Sequence, residues 1–156
     1  MSDQTTIAKL PVAAVIVALA GLADSVYLTV HHYTTEPLPC SIIEGCEQVL
    51  NSQWAEWGGI PLAAFGAAAY FVAFSLALLT VFGDRRTWRL YGVQATIMAA
   101  FSGWLIYVQA ALIGAFCQFC LLSAISSIIL FAIFIASIFT RSAPPEFESD
   151  PLPETD

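Results

Sequence analysis

The chain has 156 residues, of which 58% are hydrophobic and 11% are charged. Soluble domains average about 45–50% and about 25% on these measures, so this composition excludes a soluble globular protein. Five Lys and Arg residues against twelve Asp and Glu residues argue against a nucleic-acid partner, because binding phosphates requires clustered cations. The chain is therefore expected to be an integral membrane protein surrounded by lipid.

Four stretches are long and apolar enough to cross a bilayer, which needs roughly 20 mostly apolar residues per helix. They are predicted to run from Leu10 to Tyr33, Ile60 to Phe82, Leu90 to Phe116 and Cys117 to Thr140. The sequence thus predicts an all-α fold, an integral membrane bundle of four transmembrane helices over residues 10–141. Residues 1–9 are expected to be an N-terminal segment. Residues 142–156, acidic and rich in proline, are expected to be a disordered tail.

The cations predict the orientation of this bundle. All five lie on one side of it, before the first span, between the second and third spans, and after the fourth: Lys9, Arg85, Arg86, Arg89 and Arg141. By the positive-inside rule, both termini are predicted to lie in the cytoplasm and the 34–59 loop on the periplasmic or extracellular side of the cytoplasmic membrane. A cleaved signal peptide is the rival interpretation of the N-terminal run. It is disfavoured because the apolar character continues to Tyr33 and cleavage would leave three spans.

All four cysteines lie on the outer side of this topology. Cys117 and Cys120 form a C-x-x-C motif at the start of the fourth helix, where residues i and i+3 share a face and are close enough for a disulfide. The helix N-terminus is expected to lower the pKa of the Cys117 thiol and to favour its reactive thiolate. Cys120 lies one turn deeper, towards the bundle or the lipid.

Cys40 and Cys46 lie in the long outer loop, six residues apart. Pro37, Pro39 and Gly45 allow the bend that a disulfide between them requires. A pair on a pliable loop can exchange with a soluble partner and then reach the C-x-x-C motif. Two alternatives are two structural disulfides in a non-catalytic membrane scaffold and a zinc site of four thiolates, although C-x5-C is not a usual zinc spacing.

Taken together, these motifs resemble the vitamin K epoxide reductase family, and in particular its bacterial members without epoxide activity. The resemblance covers about residues 10–140. It rests on the C-x5-C loop, Val49-Leu50-Asn51-Ser52, Trp54, Gly59-Ile60-Pro61, Gly66 and the C-x-x-C motif.

The resemblance implies a membrane enzyme that oxidises thiols outside the membrane and reduces a quinone of the ubiquinone or menaquinone type within it, in support of disulfide formation. Cys120 would be the thiol next to the quinone, Cys117 its exchange partner, and Cys40 with Cys46 the loop shuttle. Ser52 matches a Ser or Thr that the family places near the quinone. The chain ends in a short tail, so a separate thioredoxin-like or DsbA-like protein is the expected partner.

Two positions depart from the human-type members of that family. Ala124 stands where those members have Tyr, and Leu62 corresponds to their polar Asn. Both departures argue against epoxide reduction. The unrelated DsbB-type oxidase is also linked to a quinone and has four helices, but its cysteine pairs occur in the reverse order.

A few other residues have both a functional and a structural interpretation. Asp24 lies inside the first span, where a carboxylate is costly, so it is expected to supply protons, bind the quinone, or serve polar packing. His31 and His32 are possible proton carriers at the outer interface. Four aromatic residues are expected to line a quinone slot or to serve packing: Phe101, Trp104, Tyr107 and Phe119.

Overall fold

The computed structural model describes residues 2–34, 45–82 and 84–142. Cys40, predicted to belong to the loop shuttle, lies outside these ranges. So does the predicted disordered tail from residue 143 onward.

Four long helices cross the molecule, and the prediction of an all-α membrane bundle is confirmed. Each is apolar and long enough to span a membrane, so the chain is a multi-pass membrane protein. The helices, with a short α2 in the loop between α1 and α3, are α1 (Ser2–Thr34), α2 (Cys46–Leu50), α3 (Leu62–Val81), α4 (Arg85–Tyr107) and α5 (Gln118–Ser142).

Within the described residues, two further elements lie between the long helices. A two-stranded antiparallel hairpin pairs β1 (Glu56–Trp57) with β2 (Ile60–Pro61), directly before α3. A π-helical segment, Val108–Ile113, continues α4 without a break. A four-residue corner, residues 114–117, then connects this segment to α5.

Two helices, α1 and α4, begin before their predicted spans, because hydropathy marks the bilayer crossing and not the helix. Helix α1 begins at Ser2, although the apolar stretch begins at Leu10. Helix α4 begins at Arg85 because the Asp84 side chain caps it, accepting a hydrogen bond of 3.0 Å from the Arg86 backbone N–H. Polar residues thus continue the helices past the membrane edge.

The span predicted to begin at Ile60 is wrong at that end: Ile60 and Pro61 pair in β2, so α3 begins only at Leu62.

The four long helices form a ring in which each packs against two neighbours: α1 against α3 and α5, and α4 against α3 and α5. Many large apolar side chains on the periphery of the bundle remain exposed, as expected for helices that contact lipid.

The 45–61 segment covers one end of the ring, which we call the outer end. There the His32 imidazole pairs with the Glu56 carboxylate at 2.9 Å, and the ring of Trp54 contacts that of Trp104.

Candidate functional site

The C-x-x-C motif lies where the π-helical segment turns into α5. Gly114, with φ of 69°, ends the π segment, and its N–H donates to the Gln109 carbonyl at 2.9 Å. A positive φ is accessible to glycine at little cost, which explains how the chain reverses within four residues. The backbone N–H of Cys117 then donates to the Gln109 Oε1 atom at 3.0 Å.

Cys117 directly precedes α5 and is fully buried, with 0% of its surface exposed. Its Sγ atom accepts a hydrogen bond of 3.4 Å from the Cys120 backbone N–H. A hydrogen bond from the Cys120 side chain lowers the pKa of the Cys117 thiol to about 7, against the opposing effects of burial and of the Asp24 charge. The pKa is therefore lowered in the predicted direction. The largest cause is the hydrogen bond from the Cys120 side chain, and the backbone N–H groups of Cys120 and Phe119 act in the same direction.

The outer loop brings a third cysteine to this corner. Cys46 is fully buried and disulfide-bonded, and it packs in one cluster with Val49, Ala115 and Cys117. Gly45, which precedes α2, permits this approach, because a Cβ atom there would lie 2.6 Å from the Phe116 carbonyl oxygen. Cys117 and Cys120, in contrast, are free thiols.

A cavity of about 300 Å³ lies inside the outer half of the bundle. Its walls come from all four long helices and from the 49–55 segment, and they are mostly apolar. Cys120 lines this cavity, whereas Cys117 does not. The two thiols of the motif therefore face different surroundings: Cys117 contacts the Cys46 cluster, and Cys120 also borders the cavity.

Besides Cys120, two residues predicted near a quinone, Ser52 and Phe101, line this cavity. The Ser52 hydroxyl donates to the Val49 carbonyl at 2.7 Å. Leu62 and Ala124, the two departures from the human-type pattern, also line it. Four positions singled out from the resemblance, Ser52, Leu62, Cys120 and Ala124, therefore border one cavity.

Other predicted residues lie elsewhere. Tyr107 is 62% exposed on the outside of the bundle. Phe119 packs against the cysteine cluster and against the ring of Tyr27, at 5.5 Å between centroids. Asp24 is outside the cavity lining, and its Oδ2 atom is buried without a hydrogen-bond partner among the described residues. Their predicted roles at a quinone remain predictions.

Several polar residues of the cavity wall were not predicted from the sequence. Gln109 is 4% exposed and lines the cavity, as does Gln94, whose side-chain amide donates to the Ala69 carbonyl at 3.2 Å. Tyr70 donates to the Ser123 carbonyl at 2.5 Å and also lines the cavity. A usable signal existed, because polar residues inside a membrane span are uncommon and functional by default.

No group of three or more His, Cys, Asp or Glu side chains suited to a metal ion occurs within residues 2–34, 45–82 and 84–142. The described part of the site therefore consists of thiols, an apolar cavity and a few polar groups.

Comparisons with known proteins identify the family of the chain. The model of the vitamin K epoxide reductase family matches residues 12–135. The chain is also similar to the thiol-disulfide oxidoreductase LTO1 of Arabidopsis thaliana, with 32% identity over 127 residues. That alignment covers 75% of this chain and 34% of the relative, so the chain spans about a third of that protein's length. The matched family is the one that the cysteine motifs resemble.

Proposed function

Since this chain belongs to the vitamin K epoxide reductase family, we propose that it is a membrane thiol oxidoreductase that passes electrons from an external thiol partner to a quinone. One observation carries the proposal. A disulfide-bonded loop cysteine, Cys46, packs against one thiol of the C-x-x-C motif, while the other thiol, Cys120, borders a cavity within the membrane.

Electrons enter at the loop pair. A reduced thioredoxin-like or DsbA-like protein reduces the Cys40–Cys46 disulfide by thiol exchange. The Cys46 thiolate then attacks the Cys117 sulfur of an oxidised C-x-x-C pair, and Cys120 leaves. Cys40 next attacks Cys46, which re-forms the loop disulfide and releases Cys117 as a thiolate. The lowered pKa of Cys117 favours this last step, because a thiol of lower pKa leaves faster.

The second half of the reaction re-forms the C-x-x-C disulfide. The Cys117 thiolate bonds to the Cys120 sulfur as two electrons pass to the quinone. Reduction to the quinol takes up two protons, one of which comes from the Cys120 thiol. His32 supplies the second, because it lines the outer part of the cavity and pairs there with Glu56.

The cavity suits a quinone ring. Its volume of about 300 Å³ and its mostly apolar lining with a few polar groups are typical of small-molecule sites. Ubiquinone and menaquinone types both match these properties, since they share an apolar ring with two carbonyl oxygens. Ser52, Phe101 and Cys120 are the predicted residues that line it.

The division of labour between the cysteine pairs gives the decisive experiment. In purified protein, Cys117→Ser and Cys120→Ser should reduce quinone turnover to the uncatalysed rate with every thiol donor. Cys40→Ser and Cys46→Ser should abolish turnover with a protein donor but retain it with a small dithiol. Ser126→Ala, on α5 but outside the cavity lining, serves as the control that keeps both activities.

Loss of both activities in all four cysteine variants would contradict a dedicated loop shuttle. Quinone turnover that survives in Cys120→Ser would contradict the proposed function itself. The alternative of a non-catalytic scaffold predicts that reduced thioredoxin leaves both cysteine pairs unchanged.

The proposed orientation places both termini in the cytoplasm and the loop cysteines outside, because all five cations lie on one side of the four spans. A membrane-impermeant thiol reagent should label Cys40 in intact, reduced cells, whereas Cys46, which is fully buried, should react more slowly. Labelling that occurs only after cell lysis would contradict this orientation and indicate the opposite one.

A further inference from the structure

The C-x-x-C motif occupies the positions of a helix cap. Cys117 is the N-cap residue of α5, and its sulfur accepts the N–H of Cys120, three residues on. In a capping box, the side chain at that third position is Glu or Gln, which returns to accept the N–H of the N-cap residue. Here that position holds Cys120, whose thiol instead hydrogen-bonds to Cys117. The redox motif therefore leaves one half of the cap without its usual acceptor.

Gln109, in the preceding π-helical segment, supplies the missing acceptor for the Cys117 N–H. Gln109 Oε1 accepts the backbone N–H of Cys117 at 3.0 Å, across the corner. The Gln109 backbone carbonyl also accepts the N–H of Gly114 at 2.9 Å. One residue thus holds both ends of the 114–117 corner. Because Gln109 is 4% exposed, water cannot readily take over this role.

We propose that Gln109 is a positioning residue for the thiol pair: it completes the cap of α5 from outside the motif and so keeps Cys117 in its thiolate-stabilising position. The inference rests on the proposed function, in which Cys117 exchanges with the loop and closes the disulfide. The π-helical conformation of residues 108–113 has a role in this arrangement, since its i to i+5 bond joins Gln109 to Gly114.

The electrostatic surroundings of Cys117 are simple within the described residues. Cys120 on α5 stabilises its thiolate, and Asp24 on α1 opposes it. On α2, Cys46 is disulfide-bonded and does not titrate. If Gln109 no longer holds the corner, the first turn of α5 loosens and the hydrogen bonds to the Cys117 sulfur weaken. The pKa of Cys117 should then move back towards its ordinary value.

The test compares Gln109→Met with Leu112→Met in the fully assembled, dithiol form of the protein. Gln109→Met keeps the length of the side chain but removes the acceptor. Leu112→Met places the same residue in the same π segment at an exposed, lipid-facing position. The thiolate of Cys117 is titrated by its ultraviolet absorption, with Cys117→Ser as the blank, and the pH profile of disulfide re-formation is recorded.

Gln109→Met should raise the pKa of Cys117 by about one unit, which lowers its thiolate fraction at neutral pH about fivefold. Leu112→Met should match the unsubstituted protein. Gln109→Asn, whose amide is one methylene too short to reach, should shift the pKa in the same direction and gives the answer if the Met variant does not fold. A Cys117 titration unchanged in both Gln109 variants, whatever happens to melting temperature, would overturn the proposal.

The titration needs no quinone. It therefore decides the role of Gln109 even if the protein fails to reduce a quinone, so the two proposals fail separately.

Discussion

The two ends of the bundle are built on opposite principles. At the inner end, polar atoms of the aromatic side chains are paired. Trp88 stacks on Tyr91 with 4.6 Å between ring centroids, and its indole N–H donates to the Ser137 hydroxyl at 2.8 Å. The Tyr91 hydroxyl donates to the Leu130 carbonyl at 3.0 Å. In a membrane, such packing and internal hydrogen bonds hold helices together, because lipid is as apolar as the side chains.

The outer end has a cavity, two free thiols and polar atoms without partners. The Asp24 Oδ2 and His31 Nδ1 atoms are buried there with no hydrogen-bond partner among the described residues. An unpaired buried polar group is costly. The difference indicates that the inner end maintains the bundle, whereas the outer end retains groups that are available for chemistry.

The largest expected effect is a loss of stability from a substitution at the inner end. Trp88→Ala should destabilise the bundle by about 3 kcal/mol or more, because it removes a buried ring together with its stacking and hydrogen bond. Thermal unfolding in detergent measures the loss. The control Trp57→Ala, at a site 75% exposed on the outer hairpin, should change the melting temperature little.

The folded fraction of Trp88→Ala should retain its thiol chemistry, measured as quinone reduction per folded molecule. A specific activity that falls together with stability would show that the two ends are not functionally separate.

The second expected effect concerns which acceptor the outer end can reduce. Opening an epoxide requires an acid near the developing alkoxide. Leu62 and Ala124, at the human-type donor positions, offer none, and the hydroxyls of Ser52 and Tyr70 donate to backbone carbonyls. We expect vitamin K epoxide to be reduced at least about a hundredfold more slowly than a quinone with the same dithiol, the usual cost of a missing donor.

Parallel assays of the two acceptors give this ratio directly. The double variant Leu62→Asn with Ala124→Tyr should raise epoxide reduction relative to quinone reduction. Similar rates in the unsubstituted protein would mean that another group supplies the acid, and Asp24 would be the first to test.

The smallest expected effect is on pH dependence. The pKa of Cys117 is lowered to about 7 in the dithiol protein, so its thiolate fraction falls as the pH drops through that value. Disulfide re-formation at saturating quinone should therefore slow about fivefold from about pH 7 to about pH 6 and level off at alkaline pH. Rapid-mixing kinetics of the pre-reduced protein measure this profile.

Trp88→Phe, at the inner end, should give the same midpoint and so controls for general effects of packing. A midpoint near the ordinary thiol pKa of 9.0 would show that the corner does not stabilise the Cys117 thiolate.

Features of the site that depend on residues close together in the sequence can be predicted from it, whereas features that depend on contacts between distant segments cannot. The spans follow from hydropathy, and the position of the C-x-x-C motif before a helix follows from the end of one span and the start of the next. The ring packing of the bundle does not follow in this way. Helices that are apolar nearly all round carry little periodic information about which face points inward. Tyr107 and Phe101 lie six residues apart on one helix, yet Phe101 lines the cavity and Tyr107 does not.

The amino-acid sequence alone predicts a four-span membrane protein with a cysteine pair at the start of its last helix, and its motifs resemble the vitamin K epoxide reductase family. These conclusions rest on composition, span length and motif spacing. Three contacts are visible only in the folded protein: Cys46 packs against Cys117, Cys120 borders the cavity, and Gln109 accepts the Cys117 backbone N–H. Each of these contacts joins two segments that are brought together by helix packing or by the π-helical turn. Helix packing and the π-helical turn produce no periodic pattern of residues, so the sequence alone could not predict these contacts.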